Sequence, residues 1–254
     1  MMSFFFSLFL ATTMSSQMSV DERVLRATCR VNVNPGTQNE SFGTGTFVDV
    51  ADYTQLLKKD EVLVVTAGHC LDCITIRGGV SVSLPVLTDD RKLGSDWSRS
   101  LSARYLNFST NGAGGDVGVI AVLLPKELRK EVHLARMRKE PSFSLKDEYV
   151  IVGCRAGEPP RVARGSPLQY FKGTAEHAPV LHVACQRRSG DSGGGLFDKE
   201  GQLLAVCSAS MEKSELVIGP GLCGFNPNRE PEVFSGAASC FYPAKLISRF
   251  IADR

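Results

Sequence analysis

Apolar residues recur along this chain in short runs, separated by clusters rich in Gly, Pro, Asn and Asp. Eleven such runs have the length and β-branched content of strands: Val24–Val33, Gly45–Val50, Val62–Thr66, Ile74–Ile76, Val80–Leu84, Val117–Leu124, Tyr149–Val152, Val180–Ala184, Leu196–Asp198, Leu203–Cys207 and Val233–Cys240. Only two stretches suggest helix. Pro125–Arg138 opens on a proline, which suits a first helical turn, and is dense in charge. Lys245–Arg254 places Leu246, Ile247, Phe250 and Ile251 on one stripe and leaves Arg249 and Asp253 to water. The first interrupts the strand series near its midpoint and reads as a connector between two β-rich halves. The pattern predicts an all-β barrel or sandwich.

Composition agrees and removes other classes. Of 254 residues, 43% are apolar and 22% charged, with 24 Gly and 12 Pro, which excludes a disordered chain, a collagen-like repeat and a polytopic membrane protein. A formal net charge of +2 gives no reason to expect nucleic acid or an anionic membrane as partner. The apolar stretch Phe4–Ala11 is too short to span a bilayer but has the length of a signal-peptide core. Residues 1–18 therefore read as a signal peptide or an unstructured N-terminus, and a secreted or periplasmic location depends on the first reading. Met14 and Met18 are alternative starts. The eight cysteines suit either disulfides or a reduced, packed core. Cys70 and Cys73 have CxxC spacing, but no second close Cys or His pair completes a zinc site, so no metal and no cofactor are expected.

Chemistry concentrates in Ser189-Gly190-Asp191-Ser192-Gly193-Gly194-Gly195. Glycines flanking a serine let the backbone turn sharply, so that a hydroxyl and amide hydrogens can face one small space. That is the requirement of a nucleophile whose attacked carbonyl becomes an oxyanion. Serine is inert without a base, and the chain has four histidines, at 69, 133, 177 and 182. His69 ends the run Val64-Val65-Thr66-Ala67-Gly68 among small residues, where an imidazole can look into a cleft; the other three read as surface or hydrogen-bonded side chains. Asp116 follows a glycine loop and opens an apolar strand, where a carboxylate needs a strong partner. Gly190-Asp191-Ser192-Gly193-Gly194 also satisfies the Gly-x-Ser-x-Gly elbow of α/β-hydrolases. Those enzymes place the histidine after the serine and feed the elbow into a helix. Here no histidine follows Ser192, and Leu196–Leu203 reads as a hairpin.

These segments resemble the chymotrypsin/trypsin-like serine endopeptidases, in their bacterial-type branch. Thr66-Ala67-Gly68-His69-Cys70, Asp116-Val117-Gly118-Val119 and Gly190-Asp191-Ser192-Gly193-Gly194 are similar to that family's histidine, aspartate and serine motifs, in its order, and Gly43–Val48 is similar to the strand before the histidine. The resemblance covers about residues 24–251. It implies two six-stranded antiparallel β-barrels, a chymotrypsin-like double barrel, with a C-terminal helix. The expected division is a first barrel over 19–124 carrying His69 and Asp116, a connector over 125–140, and a second barrel with the terminal helix over 141–254 carrying Ser192.

The implied activity is peptide-bond hydrolysis through an acyl-enzyme, with Ser192 as nucleophile, His69 as base then acid, and Asp116 as its orienter. The N–H groups of Gly190 and Ser192 would form the oxyanion hole. Ser208 and Ser210 match the strand that pairs with substrate backbone; Gln186 matches the floor of the side-chain pocket and Glu232 a second floor position. Asp191 would shape the serine loop. The expected partner is a protein or peptide substrate bound by a monomer. The competing reading is a catalytically silent double barrel that uses its cleft for binding. Two departures stand out: no Ile-Val-Gly-Gly-like segment precedes Val24, so activation by a new terminus is not expected, and Gly43 stands where the half-cystine partner of Cys70 would be. Family disulfide pairing is therefore not carried over.

Overall fold

A computed structural model describes residues 18–49, 56–72, 74, 78–87, 93–110, 114–138, 143–144, 146–185, 188–218, 232–243 and 246–247. Helix α1 (Val20–Arg26) leads into β1 (Thr28–Val33), β2 (Ser41–Asp49) and β3 (Glu61–Thr66). The short helix α2 (Gly68–Asp72) follows, then β4 (Val80–Leu87), β5 (Leu93–Thr110) and β6 (Asp116–Leu123). After β7 (Ala135–Arg136) come β8 (Tyr149–Gly153), β9 (Arg161–Phe171), β10 (Val180–Ala184), β11 (Gly195–Phe197), β12 (Leu203–Ile218) and β13 (Glu232–Pro243).

The strands close into two barrels. The first runs β1-β4-β5-β6-β3-β2 and is closed by the β1–β2 pairing, with the two-residue β7 added parallel to β2. The second is the closed ring β10-β13-β12-β11-β8-β9. Successive side chains of a strand face opposite ways, and here both faces find a core. On β6, Ile120 and Val122 enter the first barrel with Phe47, Val64 and Leu101, while Val117, Val119 and Ala121 face the seam between the barrels. Val150, Val152, Phe197, Leu203 and Val206 meet them from the second barrel, whose own interior holds Ile151, Leu181, Leu196, Leu204 and Phe241. This explains why β6 is an unbroken apolar run rather than an alternating one.

Several sequence expectations are corrected. Val24 belongs to α1, not to a strand: Ser19 accepts from the Glu22 N–H, Asp21 and Glu22 occupy the first turn, and Glu22 pairs with Arg26 at 2.9 Å. Pro125–Arg138 is not a helix. It makes one 3-10 turn, Lys126–Leu128, continues in turns to residue 131 and then leaves helical geometry, because Leu128 must reach the first barrel's interior while Ala135 reaches the seam. Of the terminal helix, Leu246 and Ile247 are helical and buried in the seam; the remainder lies outside the described residues, as do residues 75 and 76 of the strand expected at Ile74–Ile76. β5 and β9 were not legible, since Ser, Arg, Gly and Pro interrupt them. Among the described residues no helix is long and apolar enough to cross a membrane.

Candidate active site

His69 stands on α2, one residue after Gly68, directly behind β3. A side chain at Gly68 would lie 1.8 Å from the Ser109 carbonyl, so glycine is required for α2 to approach β5 this closely. The approach sets His69 against Asp116, the first residue of β6. The His69 N–H donates to Asp116 Oδ1 at 2.7 Å, and Nδ1 of the ring meets Oδ2 at 2.6 Å. Asp116 is 4% exposed. A third donor reaches it from the other barrel: the Ser208 hydroxyl bonds to Oδ2.

Ser208 owes its orientation to a β-bulge. The β12–β13 register shifts between Cys207 and Ala209, leaving Ser208 as the extra residue and turning it towards the first barrel. Its hydroxyl faces Asp116, and its carbonyl accepts the Ser192 hydroxyl at 3.2 Å. Ser192, Ser208, Asp116 and His69 thus form one connected group across the seam. Among the described residues, the Ser192 hydroxyl donates to Ser208 and not to the imidazole.

The electrostatics follow from these contacts. Burial pushes the Asp116 carboxyl up, but hydrogen bonds from His69 and Ser208 outweigh it and hold it below the ordinary carboxylate range. The His69 imidazole is raised to about 10, first by its bond to Asp116 and then by Cys70 beside it. The Cys70 sulfur also lies 3.9 Å from the Ser192 carbonyl and fills the space a Gly43 side chain would need, 2.6 Å from that position.

The serine loop is pinned from several sides. Gly190 and Gly193 hold φ of +90° and +86°, left-handed values that a side chain would oppose. The N–H groups of Asp191, Gly193 and Gly194 are bonded to Arg188, Cys207 and Asp191 carbonyls, whereas those of Gly190 and Ser192 make no hydrogen bond among the described residues. Their direction is set by the carbonyls before them, because C=O and N–H point oppositely in a trans peptide. Ser189 O accepts from Ala156 N at 2.7 Å, and Asp191 O from Gly194 N at 2.9 Å. Asp191, 2% exposed, accepts from the Arg188 N–H at 2.9 Å and meets Arg155 Nε at 3.7 Å.

Thr44 is a site residue that sequence reasoning missed. Its N–H donates to Ser192 O and its hydroxyl to Gly190 O, each at 2.7 Å, and that hydroxyl accepts from Cys154 N. A threonine in a strand carries no signal of this role. Gln186 lies outside the described residues, as do Cys73 and Cys223. Ser210 sits on β12 opposite Ser239, two residues past Ser208. Glu232 opens β13 opposite Ile218, at the end of that ladder far from Ser208, so the register does not bring it to the serine loop.

Residues 43–206 match the model of the trypsin-like peptidase domain. No curated protein matches the chain. Among solved structures, the active form of the Rv3671c protease from M. tuberculosis is similar at TM-score 0.56 and 17% identity, covering 92% of this chain and 82% of that one. An inactive form of the same protease gives 0.55 and 16%, covering 92% and 91%. The serine endoprotease from Yersinia pestis gives 0.57 and 14%, covering 93% and 66%. At these identities the likeness concerns the double-barrel fold, while the matched domain spans more than half of the sequence. The chain belongs to the trypsin-like peptidase domain family.

Proposed function

We propose that this serine endopeptidase cleaves peptide bonds through an acyl-enzyme, with Ser192 as nucleophile, His69 as proton carrier and Asp116 as the group that orients it. The observation that carries the reading is the convergence of His69 and Ser208 on the Asp116 carboxylate, with Ser192 attached to the same Ser208. An Nδ1–H bonded to Asp116 leaves Nε2 as the lone-pair nitrogen, the tautomer a base needs. The Ser208 carbonyl suits an N–H from an extended substrate backbone. When the substrate takes it, the Ser192 hydroxyl is displaced and turns about χ1 to the imidazole.

In this reading Ser192 Oγ attacks the scissile carbonyl while its proton passes to Nε2. The C=O π bond becomes an oxyanion, which the two uncommitted N–H groups of Gly190 and Ser192 stabilise. Collapse breaks the C–N bond as His69 gives its proton to the leaving amine, and water then repeats the sequence on the acyl-enzyme. Arg155 neutralises Asp191 and keeps the loop in shape, so no newly cut terminus is needed for that purpose. The substrate is a protein or peptide segment able to lie extended across the seam.

The test is turnover of an unfolded protein substrate by the wild-type chain and by Ser192→Ala. Loss on the order of ~10⁶ in kcat is expected, as for a hydrolase that loses its nucleophile. Equal turnover by both would remove Ser192 from the mechanism. Binding of the same substrate with no turnover by either would favour the silent, binding role.

A further inference from the structure

The aim of the Gly190 N–H depends on the Ala156 N–H holding Ser189 O, and Ala156 sits in an unusual turn. Ala156 has φ +51° and Gly157 φ +76°, two consecutive left-handed residues, the first of them not glycine. Such a pair persists only when its surroundings hold it. Within the turn, the Gly157 N–H donates to Cys154 O at 3.0 Å and the Glu158 N–H to Arg155 O at 2.9 Å; further holding groups come from the other barrel. The Gly157 carbonyl accepts the Trp97 indole N–H at 2.8 Å and Arg30 Nη1 at 3.3 Å. The Arg30 guanidinium lies 4.8 Å from the centre of the Trp97 ring, so the two donors brace each other. Trp97 is delivered by the long β5 at a register shift opposite Pro85, a break in the β4–β5 ladder that re-aims its side chain.

We infer that Trp97, braced by Arg30, is a positioning residue of the oxyanion loop: its indole N–H fixes Gly157, which fixes the Ala156 N–H on Ser189, which aims the Gly190 N–H at the scissile carbonyl. This extends the proteolytic reading above and rests on it. The link joins the β4–β5 hairpin of the first barrel to the serine loop of the second without touching substrate. It acts on the transition state, where the oxyanion forms, and leaves substrate affinity unchanged.

The chain has one tryptophan, so a biosynthetic analogue alters this position alone. Incorporating the benzothiophene analogue of tryptophan keeps the ring's shape and exchanges its N–H for sulfur. The full chain is then compared with the unsubstituted protein for kcat, KM, thermal midpoint and amide exchange at Ala156. The inference expects kcat to fall about tenfold, a fraction of the 10²–10³ that loss of one oxyanion donor costs. KM and the thermal midpoint stay the same, Ala156 exchanges faster, and Trp97→Phe repeats the effect. An unchanged kcat overturns the inference whatever the exchange shows, as does a lowered thermal midpoint with kcat kept, which marks a structural contact only. Should the unsubstituted chain fail to react with a fluorophosphonate, the proteolytic reading itself falls. The exchange rate at Ala156 then decides the link alone, faster supporting it and equal overturning it.

Discussion

Three donors converge on the Asp116 carboxylate: the His69 N–H, the His69 ring and the Ser208 hydroxyl. An acid this buried stays charged only because these bonds outweigh desolvation. Ser208→Ala removes one of them and leaves the others. A hydrogen bond to a charged group is worth about 1.5–3 kcal/mol, so kcat should fall on the order of tenfold or more, read in steady-state kinetics. In the proposed mechanism the pH profile follows from His69, whose imidazole must be neutral to accept the serine proton. Its raised pKa moves the ascending limb of kcat/KM above the ordinary 6.5. Cys70→Ala, by removing the second cause of that rise, should shift the limb back towards lower pH. Measuring both profiles checks this, and a limb that stays put would remove Cys70 as a cause.

At the scale of elements, α1 is held by a cap and by its docking. Ser19→Ala should cost about 1 kcal/mol of stability, measurable by urea unfolding. Buried strands such as β3, β6 and β8 were readable because both of their faces enter a core. β5 was not, because Ser, Arg and Asn interrupt its 18 residues, and Arg99, Ser100, Ser102 and Tyr105 are exposed. The charge-dense segment after Pro125 imitated a helix but has no continuous apolar stripe to bury. The site divided in the same way. His69, Asp116 and Ser192 announce themselves through small neighbours and spacing. Thr44, Ser208's hydroxyl and Arg155 act through pairings between segments 146, 92 and 36 residues apart, which no local pattern contains.

The whole molecule is organised by its seam. Val24, Val65, Val117, Val152, Val206 and Ile247 come from the first helix, both barrels and the C-terminal segment, and pack into one core beside the hydrogen-bonded group of His69, Asp116, Ser208 and Ser192. Position of Ser192 relative to His69 is therefore set by apolar packing as much as by hydrogen bonds. Ile247→Ala should destabilise the protein by about 2–5 kcal/mol, seen as a lower midpoint in thermal or denaturant unfolding. It should also lower activity, although the residue lies outside the hydrogen-bonded group.

One measurement tests the central claim most directly: reaction of the intact chain with a fluorophosphonate, followed by mass mapping of the adduct. The account predicts a single modified residue, Ser192, with labelling slowed by orders of magnitude in His69→Ala. An adduct at another serine, or labelling of Ser192 that ignores the loss of His69, would contradict it.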